Sequence, residues 1–259
     1  MIYGYDGSLA GLLSCVFRAF QFREFGITLQ RSQALQQQLF TDSIEVATHT
    51  AHAERVWIAL QKKLSSGALR RVYYAFLSEQ PCAHQHIFNF LVYVFQSKQS
   101  VAEDYGHPDV LAVAQWAKQV GREKHRMEAF VRFKKTKQAL YLSLIRPDFD
   151  VLPIIQAHFQ QRYQDQQWLI YDERRRYGIY YDLTEIHQVA MHAEQIDSHL
   201  GTGQSQQFSV ALDEQERQYD QLWKDYFQSV NISSRQNLKL HIQYLPKRYW
   251  RYLNEKDLS

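Results

Sequence analysis

The chain has 259 residues, 45% of them hydrophobic and 14% aromatic, which excludes global disorder and supports a sizeable buried core. Its formal net charge of +3 is too small for mass electrostatics to define a nucleic-acid binder. Two cysteines, Cys15 and Cys82, offer no disulfide framework and no CxxC pair, and are expected to be buried thiols of a reducing compartment.

In chain order, MIYGY reads as a short strand. Asp6-Gly7-Ser8 then turns into a helix over 8–22 with Ser8 as N-cap. The opening lacks the basic region and cleavage site of a signal peptide, and the longest apolar run, IFNFLVYVF at 87–95, is too short to span a bilayer. A cytoplasmic protein with no membrane partner is the expectation. Residues 24–43, rich in glutamine and poorly periodic, read as a surface connection, with a short strand near 44–48. Helices follow over 52–64, 68–79 and 84–98, the last with an Ile87, Phe90, Leu91, Val94, Phe95 stripe. Pro108 opens a long helix to about 128.

The period then changes. AFVRF (129–133) and QALYLSLI (138–145) alternate around the lysine-rich KKTKQ and predict a hairpin. A helix from Pro153 through Tyr163 precedes a second hairpin, WLIYD and YGIYYD, and EIHQVAM at 185–191 adds a last strand. Residues 194–210 read as a polar loop, and 213–232 as an amphipathic helix. The expected class is α+β in a single compact unit over 1–253. It has a helical part (1–128), an antiparallel meander with packed helices (129–191) and C-terminal helices (211–253).

Charge is unevenly spread. Residues 121–182 carry 12 basic and 8 acidic groups, against 10 and 9 before them and 8 and 10 after. Basic residues recur at predicted tips: Lys134, Lys135 and Lys137 at the first hairpin, Arg174, Arg175 and Arg176 at the second, and Lys247, Arg248 and Arg251 near the end. Adjacent hairpins of one meander would bring the first two tips to one sheet edge, where they could meet a phosphate backbone. The bland alternative is a solvated surface. Trp168, Tyr171, Tyr177, Tyr180 and Tyr181 interleave with these clusters, and core packing is the expected use of most of them.

No GxGxxG, P-loop, HExxH or GxSxG motif is present. His49/His52 and His84/His86 are the nearest approach to metal spacing, but no cysteine or carboxylate completes a set, so neither a metal nor a cofactor is expected. Val110, Ala114, Ala117 and Gly121 share a helical face that continues by fours into Lys124, His125 and Glu128. His125 and Glu128 are therefore candidates for acid–base work, against the plain reading of a Lys124–Glu128 surface ion pair. Asp172 and Glu173 join them as candidate proton-transfer groups beside the arginines.

YDGSLAGLL, EKHRMEAFVRF, LPIIQAHFQQRYQDQQWLIYDERRRYGIYYD and PKRYWRYL together resemble a bacterial family of DNA-metabolism or repair proteins whose role is inferred from gene neighbours. Its members are encoded beside a radical-SAM protein of DNA modification or repair, and some are fused to a uracil-DNA-glycosylase-like domain. The resemblance implies a DNA context and a radical-SAM partner. Two cysteines cannot supply an iron–sulfur cluster, so this chain is not itself the radical-SAM enzyme. Three functions follow: a DNA-binding accessory of such an enzyme, an acid–base enzyme on nucleic acid or nucleotides, or a partner that binds protein alone.

Overall fold

A computed structural model describes residues 1–32, 43–137, 139–190 and 249. The class is α+β, and the chain divides into two compact units, 1–122 and 123–259.

The first unit opens with β1 (Ile2–Tyr5), whose last three residues are all buried, as a strand covered on both faces requires. Ser8 then caps α1 (Leu9–Phe22), its hydroxyl accepting from the Gly11 amide at 2.9 Å. The space beside Gly11 is crowded: a Cβ there would press on Asp6 Oδ1 and lie 2.9 Å from Thr48 Oγ1. The chain returns through α1 to β2 (Thr28–Arg31), and β3 (Ser43–Glu45) joins the other side. The result is a parallel sheet of order β2-β1-β3.

β2 lies inside the stretch read as a surface connection. It is short, half-polar and an edge strand, so its identity comes from pairing with β1 rather than from its own pattern. Helices α2 (Thr50–Lys63), α3 (Ser66–Phe76) and α4 (Ala83–Gln96) complete the unit, with Leu12, Val16, Leu60, Val72, Ile87 and Leu91 in its core. α5 (Pro108–Phe130) begins here, and Asp109 in its first turn is held by His86 Nδ1 at 2.6 Å and Asn89 Nδ2 at 3.3 Å. Cys15 is buried, its thiol pushed up to about 12 by burial first and Asp6 second. Cys82 is exposed, contrary to expectation, because it sits at the open N-terminus of α4.

In the second unit α5 runs on through Phe130, and AFVRF is not a strand. The buried positions Val113, Ala117, Val120, Glu123, Met127 and Val131 recur at three and four residues, so the helical period simply persists where alternation was read. The first strand is instead β4 (Lys134–Lys135), paired antiparallel with β5 (Tyr141–Ile145). Then come α6 (Leu152–Arg162), β6 (Trp168–Asp172), β7 (Tyr177–Tyr181) and β8 (Ile186–Ala190), in the sheet order β4-β5-β6-β7-β8.

The expected antiparallel meander needs one correction. β5 and β6 are parallel, Tyr141 opposite Trp168 and Ile145 opposite Asp172, because α6 carries the chain back to the starting edge. β6 is buried at every residue, and Trp168 packs on Phe159 and Tyr181. Trp168, Tyr171 and Tyr181 are core residues, as anticipated. Among the described residues no helix is long and apolar enough to cross a membrane.

Two predictions follow from these elements. Gly178 faces Tyr171 across the β6–β7 ladder, and a Cβ there would lie 2.8 Å from the Ile170 carbonyl oxygen. Since that neighbour is backbone, Gly178→Ala is expected to cost about 1–3 kcal/mol in chemical denaturation. In the first unit the Tyr5 hydroxyl and His84 Nδ1 are hydrogen-bonded in the core. Burial first, and the Arg31 charge second, lowers His84 from its ordinary 6.5 to about 4. The unfolded chain then binds the extra proton between those values. This contribution is complete above pH 6.5 and fades as pH falls towards about 4. In a series of melting curves across that window, His84→Gln should flatten the acid loss.

Candidate functional site

The segment DERRRYG is where the two sequence readings compete, and its geometry combines them. Asp172, the last residue of β6, is fully buried. Its Oδ1 accepts from the amides of Arg174 at 2.8 Å and Arg175 at 3.2 Å, and its Oδ2 accepts from Arg175 Nη1 at 2.7 Å. The Arg176 amide closes the turn onto the Asp172 carbonyl at 2.8 Å. Arg176 itself takes the left-handed conformation at φ 58°, while Gly178 belongs to β7 rather than to the turn.

The three arginines therefore differ in use. Arg175 keeps only 8% of its side chain exposed and also donates to the Pro147 and Asp148 carbonyls, each at 3.2 Å. It is a structural cation. Arg174 and Arg176 are exposed, although one nitrogen of Arg174 donates to the Asp148 carbonyl at 2.8 Å. A guanidinium has five N–H donors, so that bond uses only one of them.

Residues 146–150 form the neighbouring wall, tied to the turn by the Glu173 amide on the Ile145 carbonyl at 2.9 Å. The Tyr177 hydroxyl donates to Asp150; burial first, then that carboxylate, pushes it well above its ordinary value. Behind this wall lies Glu123, 1% exposed, whose Oε1 accepts from the Asp148 amide at 3.0 Å and whose Oε2 accepts from the Tyr249 hydroxyl. Arg146 stands exposed at the start of the wall. Three exposed arginines, Arg146, Arg174 and Arg176, thus gather at the end of the sheet where the parallel strands β5 and β6 finish.

The lysine tip does not join them. β4 enters beside the start of β5, whereas the arginine turn leaves the end of β6. With β5 and β6 parallel, the two tips stand a strand length apart, roughly 13 Å or more, at opposite ends of the sheet. Lys134 and Lys135 are ladder residues and Lys137 is exposed; all three make further contacts within the molecule. Lys247, Arg248 and Arg251, and the amphipathic helix read at 213–232, lie outside the described residues.

The four candidate proton-transfer residues form two separate groups. His125 is exposed on α5, and Glu128 is bound to Lys124, with His158 Nδ1 on α6 at 4.0 Å. Asp172 and Glu173 belong to the arginine turn, with every Asp172 oxygen taken by a donor. Sequence reasoning missed Glu123, and the cause is specific. Extending a face by fours drifts away from the 3.6-residue period. The true stripe passes through Val120, Glu123 and Met127, leaving Glu128 at its margin. The only sequence signal for Glu123 is a carboxylate at a core position of the helix. Among the described residues no group of three or more His, Cys, Asp or Glu is placed to hold a metal ion.

The fold and site define an α+β protein with an arginine turn bonded to a buried carboxylate at the carboxyl ends of two parallel strands. Residues 81–255 match the DUF4130 family, described as a domain of unknown function, and the chain belongs to that family. No curated protein and no solved structure matches it.

Breaking a buried ion pair strands the remaining charge. Asp172→Ala, which also removes the acceptor for two turn amides, should destabilise the second unit by about 3–5 kcal/mol in urea unfolding. The cost should shrink if Arg175 is replaced by Met in the same chain.

Proposed function

We propose that the protein binds DNA through Arg146, Arg174 and Arg176, as an accessory to the radical-SAM or glycosylase-type enzyme that the family resemblance implies. The observation that carries this reading is the division of labour in the turn. Arg175 and Asp172 neutralise each other in the interior, and two further arginines are exposed on the turn whose amides that carboxylate holds. The carboxylates nearby, Asp148, Asp150, Asp172 and Glu173, are all less exposed than the three arginines, so the outermost charge is positive. Planar guanidiniums on a fixed frame suit phosphate oxygens, and such contacts position a duplex or strand without reading its sequence.

Arg176 adds a second argument. A non-glycine residue at φ 58° is strained by about 1 kcal/mol relative to glycine, and strain retained at an exposed arginine favours a role for its side chain. The acid–base reading draws no comparable support, because its four residues do not converge.

The test is fluorescence anisotropy on single- and double-stranded oligonucleotides across a salt series. For Arg174→Gln with Arg176→Gln, affinity should fall about tenfold and the salt slope by about 2, one per lost phosphate contact. Arg176→Gly should weaken binding while raising thermal stability slightly, since it relieves the left-handed strain. Wild-type affinity no better than millimolar at low salt, or an unchanged slope in the double variant, would sink the proposal.

A further inference from the structure

Tyr249 is fully buried in the second unit, although it lies 126 residues from its partner Glu123 in sequence. Its ring packs on Phe130 at 5.6 Å and lies under the Arg126 guanidinium at 5.9 Å. A phenylalanine would satisfy those ring contacts. The hydroxyl has a separate task, because it donates to one oxygen of a carboxylate whose other oxygen holds the Asp148 amide.

We propose that Tyr249 is a positioning residue for the arginine turn: through Glu123 and the wall 146–150 it fixes the Arg174 guanidinium for phosphate. The inference rests on the DNA-binding reading above. The path is continuous. Tyr249 and the Asp148 amide each hold one oxygen of the Glu123 carboxylate, beside Arg126 on Oε2. The same Asp148 residue presents its carbonyl to Arg174 at 2.8 Å and to Arg175 at 3.2 Å, and Arg175 in turn is locked to Asp172. A buried carboxylate must keep its donors. Loss of the hydroxyl takes one donor from Oε2, which also stands 3.6 Å from Arg126 Nη1. The carboxylate then holds the Asp148 amide less tightly, and with it the wall against which Arg174 is set.

The experiment compares Tyr249→Phe with Phe130→Leu, which loosens packing around the same ring but keeps the hydroxyl–carboxylate contact. Amide hydrogen exchange of the DNA-free chain is read beside DNA affinity and its salt slope. In Tyr249→Phe, exchange at Asp148 and at the turn amides of Arg174 and Arg175 should rise about tenfold more than in the rest of β6 and β7, the weight of one hydrogen bond to a charged group. Affinity should fall about threefold to tenfold, with a shallower salt slope. Phe130→Leu should accelerate exchange without that selectivity. Uniform acceleration in Tyr249→Phe, an unmoved Asp148 amide, or selective exchange with unchanged DNA affinity each overturns the proposal. A wild-type chain without DNA affinity would instead remove the DNA reading. In that case selective exchange would still establish that Tyr249 positions the turn.

Discussion

The buried carboxylate of Asp172 holds the second unit's distinctive surface in place, since it gathers two turn amides and one guanidinium at the end of the central strand. Its position follows from β6, a strand buried at every residue, so the carboxylate cannot be reached by water and must be matched by protein donors. Arg175 supplies the charge, and the turn backbone supplies the rest. Those partners set the backbone from which Arg174 and Arg176 project. A charged pair in the interior is weak evidence for net stability. Here its consequence is geometric, because it makes a rigid frame from a stretch that would otherwise be a solvated loop.

The second constraint is the parallel pairing of β5 with β6. It follows from α6, which returns the chain along the sheet before β6 begins. This crossover sends the lysine tip and the arginine turn to opposite ends. It also sets residues 146–150 beside the turn, where their carbonyls receive the arginines. A predicted helix between two predicted strands is itself the signal of such a unit. The expected antiparallel order gave that signal too little weight.

Much of the fold was legible, for particular reasons. Ser8 marks the start of α1 because its hydroxyl is the right acceptor for an open helix end, and Pro108 and Pro153 mark the first turns of α5 and α6. WLIYD and YGIYY read as a hairpin because branched and aromatic residues crowd both strands. β2 was not legible, since four half-polar residues carry no pattern of their own. The end of α5 was misread because AFVRF satisfies alternation over five residues and the helical period over a longer window. The longer window wins when Met127 and Val131 both have a core to enter.

By itself, the sequence determined the α+β class, the succession of most elements and the concentration of positive charge in residues 121–182, because these depend on local period, capping and composition. Only the tertiary structure decided which of three consecutive arginines is structural. Adjacent residues in a turn are equivalent in sequence, and burial against a carboxylate distinguishes them. It likewise separated the two basic tips and joined Glu123 to Tyr249. Those outcomes depend on strand direction and on contacts between residues far apart in the chain, which no local pattern encodes.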